Sequence, residues 1–550
     1  MGVKSFKGAV YDNAKSALSQ MTKEISKVKS IIRSDNDKGL KRLLEENSLD
    51  VNMALAIENG PDHNLLTMAC TMGSIKCIKV LLDSGADINN FINIFLTNRE
   101  KDKFYATFCR ACAMGSTELL RLLIDRGLKV DDTVLFSCFD SLEHSPLKAD
   151  KRQAMAALLI ELISNIAYKE HGHTFLHRVC SIGGVDNVKA VLERGVDRDA
   201  VTGDYLSSRD ALGVAAANGY LDIVNLLLGW DKGDPIKLGR ANKALIDAAK
   251  YRNLKVVKVL TEYGASCLTE ALVVTVTYCS LVDLVEYLLN NGADVNGTVG
   301  GYTPLLALIS NTRTGDEAKL QIARLLLARG ADRDATSRSG RDSLVIAAQN
   351  GLPDFLELIL EHDSGRPTIN RLNEALLLSL GNSLGSTKCL LDHGAEVDAT
   401  DADGRTPLML LCNKHTLGHR GTGDDYLPTL HLLLERGADV SRVSPVSGNT
   451  ALLYACGFSV VFRLMLSRIL FEHGADVNQA NVITGVTPLM RAALAKDMAL
   501  VKMYLEHGAD VLQLNNEGFT VLDLMDRDKP EYATYVELCR GCMDAKPVLK

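Results

Sequence analysis

The chain has 550 residues, with 61 Lys and Arg against 68 Asp and Glu, a formal charge of −7. A single hydrophobic core stops growing near roughly 250–300 residues, so this length means either several domains or an array that grows by addition. The acidic balance leaves no global footprint for nucleic acid, and 5% aromatic residues provide few stacking platforms for single strands.

At the start, Met1–Val10 holds Lys4 and Lys7 and no apolar core follows, so no secretory leader is expected. No uncharged apolar run reaches the roughly eighteen residues of a membrane span. Val10, Ala14, Leu18, Met21, Ile25, Val28 and Ile32 form an apolar stripe at helical spacing. Residues 1–30 hold six lysines against Asp12 and Glu24, a local +4. Residues 1–33 are expected to be an amphipathic helix that caps an array; a partner coiled coil and a basic surface touching anionic lipid are the alternatives.

From there a phrase returns along the chain. It reads Leu81-Leu82-Asp83-Ser84-Gly85-Ala86-Asp87-Ile88, and comes again at Gly292-Ala293-Asp294-Val295, Gly330-Ala331-Asp332, Gly437-Ala438-Asp439, Gly474-Ala475-Asp476 and Gly508-Ala509-Asp510. A period in the low thirties marks stacked supersecondary units, about 13–14 of them over this length. Gly85 to Gly127 is 42 residues and Gly394 to Gly437 is 43, which places insertions at Asn93–Lys103 and Asn413–Leu427. Residues 132–170 are the least regular, with a second helix at Ala154–Ile166 after a polar insertion, Asp140–Lys151. Gly264 to Gly292 is only 28, so the projecting finger there should shrink to a loop. The same holds around Pro235–Ala241 and Arg366–Leu372, with helices starting at Ala244, Leu268 and Leu372.

The unit at 401–441 shows the local logic. Asp403-Gly404 is a turn signal. Thr406-Pro407-Leu408 starts a helix, the hydroxyl capping free amides and the proline suiting the first position. A second helix from Pro428 to Arg436 ends at Gly437, a left-handed cap. The same order appears at Thr303-Pro304-Leu305 and Thr487-Pro488-Leu489, and in weaker form at Thr174-Phe175-Leu176-His177 and Thr450-Ala451-Leu452. Helices this short are marginal alone and persist by burying a face against the next pair.

The 13 cysteines fall in this register: Cys180, Cys412 and Cys456 each follow Thr174, Thr406 and Thr450 by six residues. They read as buried small hydrophobes in a reducing compartment. Cys109 with Cys112, and Cys539 with Cys542, have the spacing of half a zinc site, without a second pair nearby. His171, His173 and His177 cluster, and His415, His419, Asp424 and Asp425 are the best metal candidate, in the second insertion. No phosphate loop, His-Glu-x-x-His or Gly-x-Ser-x-Gly occurs, so neither a cofactor, a metal nor catalysis is expected.

These residues resemble the ankyrin repeat family, with its Thr-Pro-Leu-His box, over residues 34–530. The resemblance implies an all-α repeat solenoid of helix-turn-helix units with β-hairpin fingers, in which His177 ties its helix start to the neighbouring turn. It implies a monomeric, non-catalytic scaffold or adaptor that binds protein partners on a concave surface in the cytoplasm or nucleus. Leu538-Cys539-Arg540, in a closing helix and tail over 531–550, is similar to the start of a SOCS box. The alternative function is therefore the substrate-recognition subunit of a ubiquitin ligase. Finger-tip positions set specificity in such arrays, and the candidates are Arg333, Arg338, Asp401, Asp403, Arg405, Arg442, Gln479 and Asn481. Reversing Arg333, Arg338 and Arg405 together is expected to weaken a partner without changing thermal stability.

Overall fold

The computed structural model describes residues 26–46, 51–52, 54–55, 63–88, 112, 114–127, 130–202, 208–230, 236–313, 316–361, 367–413, 425–458, 460–525, 533–534 and 536–539. The chain divides into two compact units, Met1–Cys267 and Leu268–Lys550. Each is an all-α stack in which the helices in closest contact are neighbours. Pro304–Ser310, for example, packs on Leu268–Tyr278 before it and Ser343–Gln349 after it.

The helix starts follow the capping chemistry. Thr303, Thr406, Thr450 and Thr487 accept from the amides of Leu306 (3.4 Å), Met409 (3.3 Å), Leu453 (3.3 Å) and Met490 (3.1 Å). Asp131, Asp210 and Asp342 do the same for Val134 (2.9 Å), Gly213 (2.8 Å) and Val345 (2.9 Å). A carboxylate has a second oxygen to spare, and two of these caps use it across repeats. Arg240 pairs with Asp210 at 2.5 Å and with Asp199 at 2.7 Å. Arg371 pairs with Asp342 and, at 2.7 Å, with Asp334. Both arginines belong to the units expected to lack fingers; residues 231–235 and 362–366 at those places lie outside the described residues.

Three boundaries differ from the spacing-based reading. The helix expected from Ala244 is Ile236–Lys250, beginning eight residues earlier, which is what brings Arg240 onto its first turns. That expected from Leu372 is Ile369–Ser379, while Leu268 does start its helix. The polar stretch Asp140–Lys151 is taken up by the helices Asp132–Glu143 and Ala149–Leu162 and the short turn between them. Among the described residues, strands are confined to two-residue pairs, Ala54–Leu55 with His63–Asn64 and Lys169–Glu170 with His173–Thr174, so the expected β-hairpins are mostly tight turns. The insertion Asn93–Lys103 lies outside the described residues, as does most of Asn413–Leu427.

Residues 26–33 are helical, and Val28 and Ile32 are buried with Leu40, Leu43 and Leu65 of the first unit. At the other end, Cys539 is buried in the cluster that includes Val521 and Tyr504. Repeats are also tied by an asparagine four residues after the terminal glycine. Asn296 donates to Gly330 O (3.0 Å) and accepts from Asp332 N (2.7 Å). Asn478 repeats this with Gly508 O (3.2 Å) and Asp510 N (2.7 Å). The amide side chain has separate donor and acceptor atoms for the two bonds, which a carboxylate lacks; Asp398, at the same place, accepts from Asp439 N (3.2 Å).

In several units the turn between the two helices takes a positive φ, as at Gly219 (+75°) and Gly351 (+67°). Arg252 (+66°) and Lys496 (+55°) occupy it with a side chain. The left-handed region costs an L-residue roughly 1–2 kcal/mol, part of which glycine returns as chain entropy. Arg252→Gly and Lys496→Gly should therefore each stabilise by about 0.5–1 kcal/mol. Urea unfolding followed by hydrogen exchange over each turn checks this, and a loss of stability in both variants contradicts it.

Candidate protein-docking surface

Five fingers of the second unit share one construction. A Ser, Asp or Asn opens each, its amide donating to a carbonyl four or five residues on: Ser337 to Arg341 (2.8 Å), Asp401 to Arg405 (3.1 Å), Ser444 to Asn449 (3.0 Å), Asn481 to Val486 (2.9 Å) and Asn515 to Phe519 (2.9 Å). Its side-chain oxygen then accepts from amides inside the turn, which is why these residue types occur there. Asn481 Oδ1 accepts from Ile483 N (2.9 Å) and Thr484 N (2.8 Å), and Asn515 Oδ1 from Glu517 N (3.0 Å) and Phe519 N (2.8 Å).

Successive fingers are locked edge to edge. Ser444 Oγ donates to Asp403 O (3.0 Å), Val482 N to Gly448 O (3.1 Å), and Asn516 N to Thr484 O (3.1 Å). Asn481 Nδ2 adds bonds to Ser447 O and Asn449 Oδ1, both 2.8 Å, and Asn516 Nδ2 one to Ile483 O (2.8 Å). A Cβ at Gly448 would lie 2.9 Å from Ile483 Cγ1, so the fingers approach closely. With their polar backbone turned to each other, these fingers present aliphatic side chains to solvent at Val446 (62% exposed), Val482 (63%) and Ile483 (53%), and Leu512 (65%) and Leu514 (57%) are exposed just ahead of the turn that Asn515 opens.

The residues singled out in the sequence separate into two groups. Arg333 is 5% exposed and donates from Nη1 to Ile359 O (2.9 Å), the end of the helix Pro353–Glu361. Asn481 is 3% exposed and serves the turn and ladder described above. Neither stands at an accessible tip, and this corrects the expectation that reversing Arg333 would leave stability untouched. Asp401 is engaged with its own turn, accepting from Asp403 N (3.0 Å) and Arg405 N (2.8 Å). Arg405 folds back on Asp401 (2.8 Å) and Asp403 (2.9 Å). Gln479 is half-buried, its Nε2 donating to Ser441 O (2.8 Å). Arg338, Asp403 and Arg442 are exposed, Arg442 lying 3.8 Å from Asp439. Sequence reasoning missed the aliphatic tips; the signal was Val482-Ile483 between the turn formers Asn481 and Gly485, out of phase with any helix.

The titratable groups are framework groups. Ser441, donating from Oγ (2.6 Å) and N (2.9 Å), holds the Asp439 carboxyl below its ordinary range and keeps that finger negative. Burial pushes the thiols of Cys70 and Cys412 up to about 12, and those of Cys180 and Cys456 upward, so they act as apolar fillers. His171 takes a positive φ in the turn between the paired strands, and His173 packs edge-on against His177, ring centroids 5.7 Å apart. Among the described residues, Asp140, Glu143 and His144 have metal-ligand spacing, yet Arg178 already neutralises them, 2.8 Å from Asp140 and 3.3 Å from Glu143. His415, His419, Asp424, Cys109 and Cys542 lie outside the described residues, while Asp425 precedes the helix Tyr426–Glu435 and its carbonyl accepts from Thr429 Oγ1 (2.7 Å).

A family profile described as ankyrin repeats (3 copies) matches residues 176–271, 272–373, 372–481 and 419–515, and a single ankyrin repeat profile matches 62–93. The chain belongs to the ankyrin repeat family. The ankyrin repeat and KH domain-containing protein mask-1 of Caenorhabditis elegans is 25% identical over 337 residues, 52% of this chain and 12% of that protein. Ankyrin repeat and SOCS box protein 6 of Homo sapiens is 32% identical over 141 residues, 23% of this chain and 32% of that protein. The mitochondrial liver isoform of glutaminase from Rattus norvegicus is 30% identical over 132 residues, 24% of this chain and 20% of that protein. The chain thus spans a third or less of the length of these relatives. The ankyrin repeat domain of Bcl-3, a solved structure, is similar over 50% of this chain and 99% of that one, at 23% identity and a TM-score of 0.29. No helix among the described residues is long and apolar enough to cross a membrane.

Proposed function

We propose that this ankyrin array is a non-catalytic scaffold or adaptor whose docking surface is the row of fingers from Asp401 to Phe519. One observation carries the reading: the aliphatic tips Val446, Val482 and Ile483 stand exposed on adjacent fingers whose own backbone groups are hydrogen-bonded to each other, with Leu512 and Leu514 exposed at the approach to the next. Isolated exposed aliphatics are ordinary, but several on one rigid ridge mark an interaction surface. A ridge that is already ordered loses little entropy when a partner arrives. The accessible Asp403 and Arg442 belong to it as candidate specificity contacts, and Arg338, lying against Gly301, is a candidate on an earlier finger. Free buried thiols suit a reducing cytosolic or nuclear compartment.

The triple change Val446→Asp, Val482→Asp and Ile483→Asp should weaken a protein partner at least thirtyfold, about 2 kcal/mol at the interface. The thermal transition of the chain should stay within a few degrees, because these tips touch solvent. Calorimetry of binding and of melting reads both quantities. Unchanged affinity in the folded variant contradicts the reading.

A second reading is favoured by the relative that carries a SOCS box and by Leu538-Cys539-Arg540. As a ubiquitin-ligase substrate receptor, the chain would co-purify with elongin-type adaptors, and deleting residues 531–550 would abolish this. Retention of the adaptors after that deletion contradicts this second reading.

A further inference from the structure

We infer that the ridge takes an apolar segment of another protein whose aliphatic side chains are flanked by Lys or Arg. This rests on the reading of the fingers as the docking face and adds the chemistry of what docks there.

Charge is the first argument. The three fingers spanning 439–449, 475–486 and 509–519 carry Asp439, Asp476, Asp510 and Glu517, with Arg442 the sole base in those spans. That arginine lies 3.8 Å from Asp439 and offsets a charge of its own finger. The acids are held where they stand: Asp476 accepts from Asn478 N (2.8 Å), Asp510 from Leu512 N (3.0 Å), and Asp439 from Ser441. The aliphatic tips Val446, Val482 and Ile483, and the exposed Leu512 and Leu514 ahead of the next turn, therefore sit in spans that together carry a net negative charge. Like charges across an interface cost free energy and opposite ones steer encounter, so these spans select cations beside the apolar contacts.

The same charge argues against other occupants. Anionic lipid and nucleic acid are both repelled by it. A second copy of the ridge, face to face, would oppose acid to acid. Addition of a strand is disfavoured because Val482 N, Asn516 N and the carbonyls of Gly448 and Thr484 are already paired within the ladder. Recognition is then by side chains: apolar contact on the tips, with Lys or Arg reaching the acids.

The test is selection of a random fifteen-residue peptide library displayed on phage against the full chain, followed by affinity measurement of the enriched synthetic peptides. Enriched sequences should combine several Leu, Ile or Val with at least two Lys or Arg. Their Kd should rise at least tenfold on the chain carrying V446S, V482S and I483S, which removes the apolar contacts and adds no charge. Asp476→Asn with Asp510→Asn keeps the turn-forming side-chain oxygen and removes two charges; it should weaken the same peptides about two- to tenfold and flatten their salt dependence. Peptides that need the aliphatic tips but are acidic or uncharged would overturn the basic-segment inference and leave the docking face standing. Peptides indifferent to the tip substitutions, or no enrichment at all, would overturn both.

Discussion

Arg463→Met should destabilise the final repeats by about 3–5 kcal/mol. Arg463, in the helix Val460–Glu472, pairs through Nε with Asp497 at 2.5 Å, and their side chains are only 12% and 4% exposed. Asp497 also caps the helix Met498–Glu506, accepting from Leu500 N at 3.1 Å. The pair thus joins consecutive outer helices while one partner organises a helix start. Removing the arginine leaves a carboxylate nearly out of water with one backbone bond, and an uncompensated buried charge is what makes such a deletion severe. Asp497→Asn keeps an oxygen for the cap and removes the charge, so the double variant R463M/D497N should recover most of the loss. The coupling in that double-mutant cycle separates the ion pair from the cap. Hydrogen exchange over residues 460–506 in rising urea provides the measurement. A single variant within 1 kcal/mol of the parent, or a double variant no better than R463M, contradicts the assignment.

The second large effect is a pH dependence centred on His177. Its ring is 2% exposed, and Thr174 N donates to its Nδ1 (3.1 Å), which leaves Nε2 to carry the proton toward Arg209 O (3.2 Å). Burial drives its pKa down to about 4; the Arg209 carbonyl and the charge of Asp210 pull the other way, and His173 adds a little to the lowering. Below the ordinary value near 6.5 the unfolded chain binds a proton that the folded site refuses. Stability is thus fully present above pH 6.5 and is lost as pH falls from there toward 4. Between pH 7.5 and 5 the loss from this group should be about 2 kcal/mol. The chain's single tryptophan, Trp230, ends the helix Leu221–Trp230 in the same unit and reports its unfolding by fluorescence. The slope in this window should largely vanish in His177→Asn. Equal slopes in the parent and the variant contradict the assignment.

Much of the fold was legible because its signals are local. Thr406-Pro407-Leu408 and Gly437 state a start and a stop by their own backbone preferences, and the structure has them so: Thr406 caps Pro407–Leu411, and Gly437 adopts φ +84°. The shortened link between Gly264 and Leu268 also showed as a short spacing. The arginine bridges did not show, because Arg240 and Arg371 meet carboxylates 29–41 residues upstream. The finger residues failed for a related reason. Arg333 and Arg338 are five positions apart and look equivalent on paper. One is buried because the helix end it caps lies 26 residues further on, and the other points into solvent. Asn481 and Asp401 were read as tips when their amide and carboxylate groups are what build the turn. The exposed aliphatics escaped because an apolar side chain in a repeat is read as core unless its turn is known.

Incorporating a photo-crosslinking benzoylphenylalanine singly at Val446, Val482 or Ile483, and as controls at Glu435, Glu472 or Lys502 on the second helices, tests the docking face most directly. With a protein partner bound, the three finger positions should crosslink to it and the three helix positions should not. Crosslinks from the helix positions with none from the fingers would contradict the account.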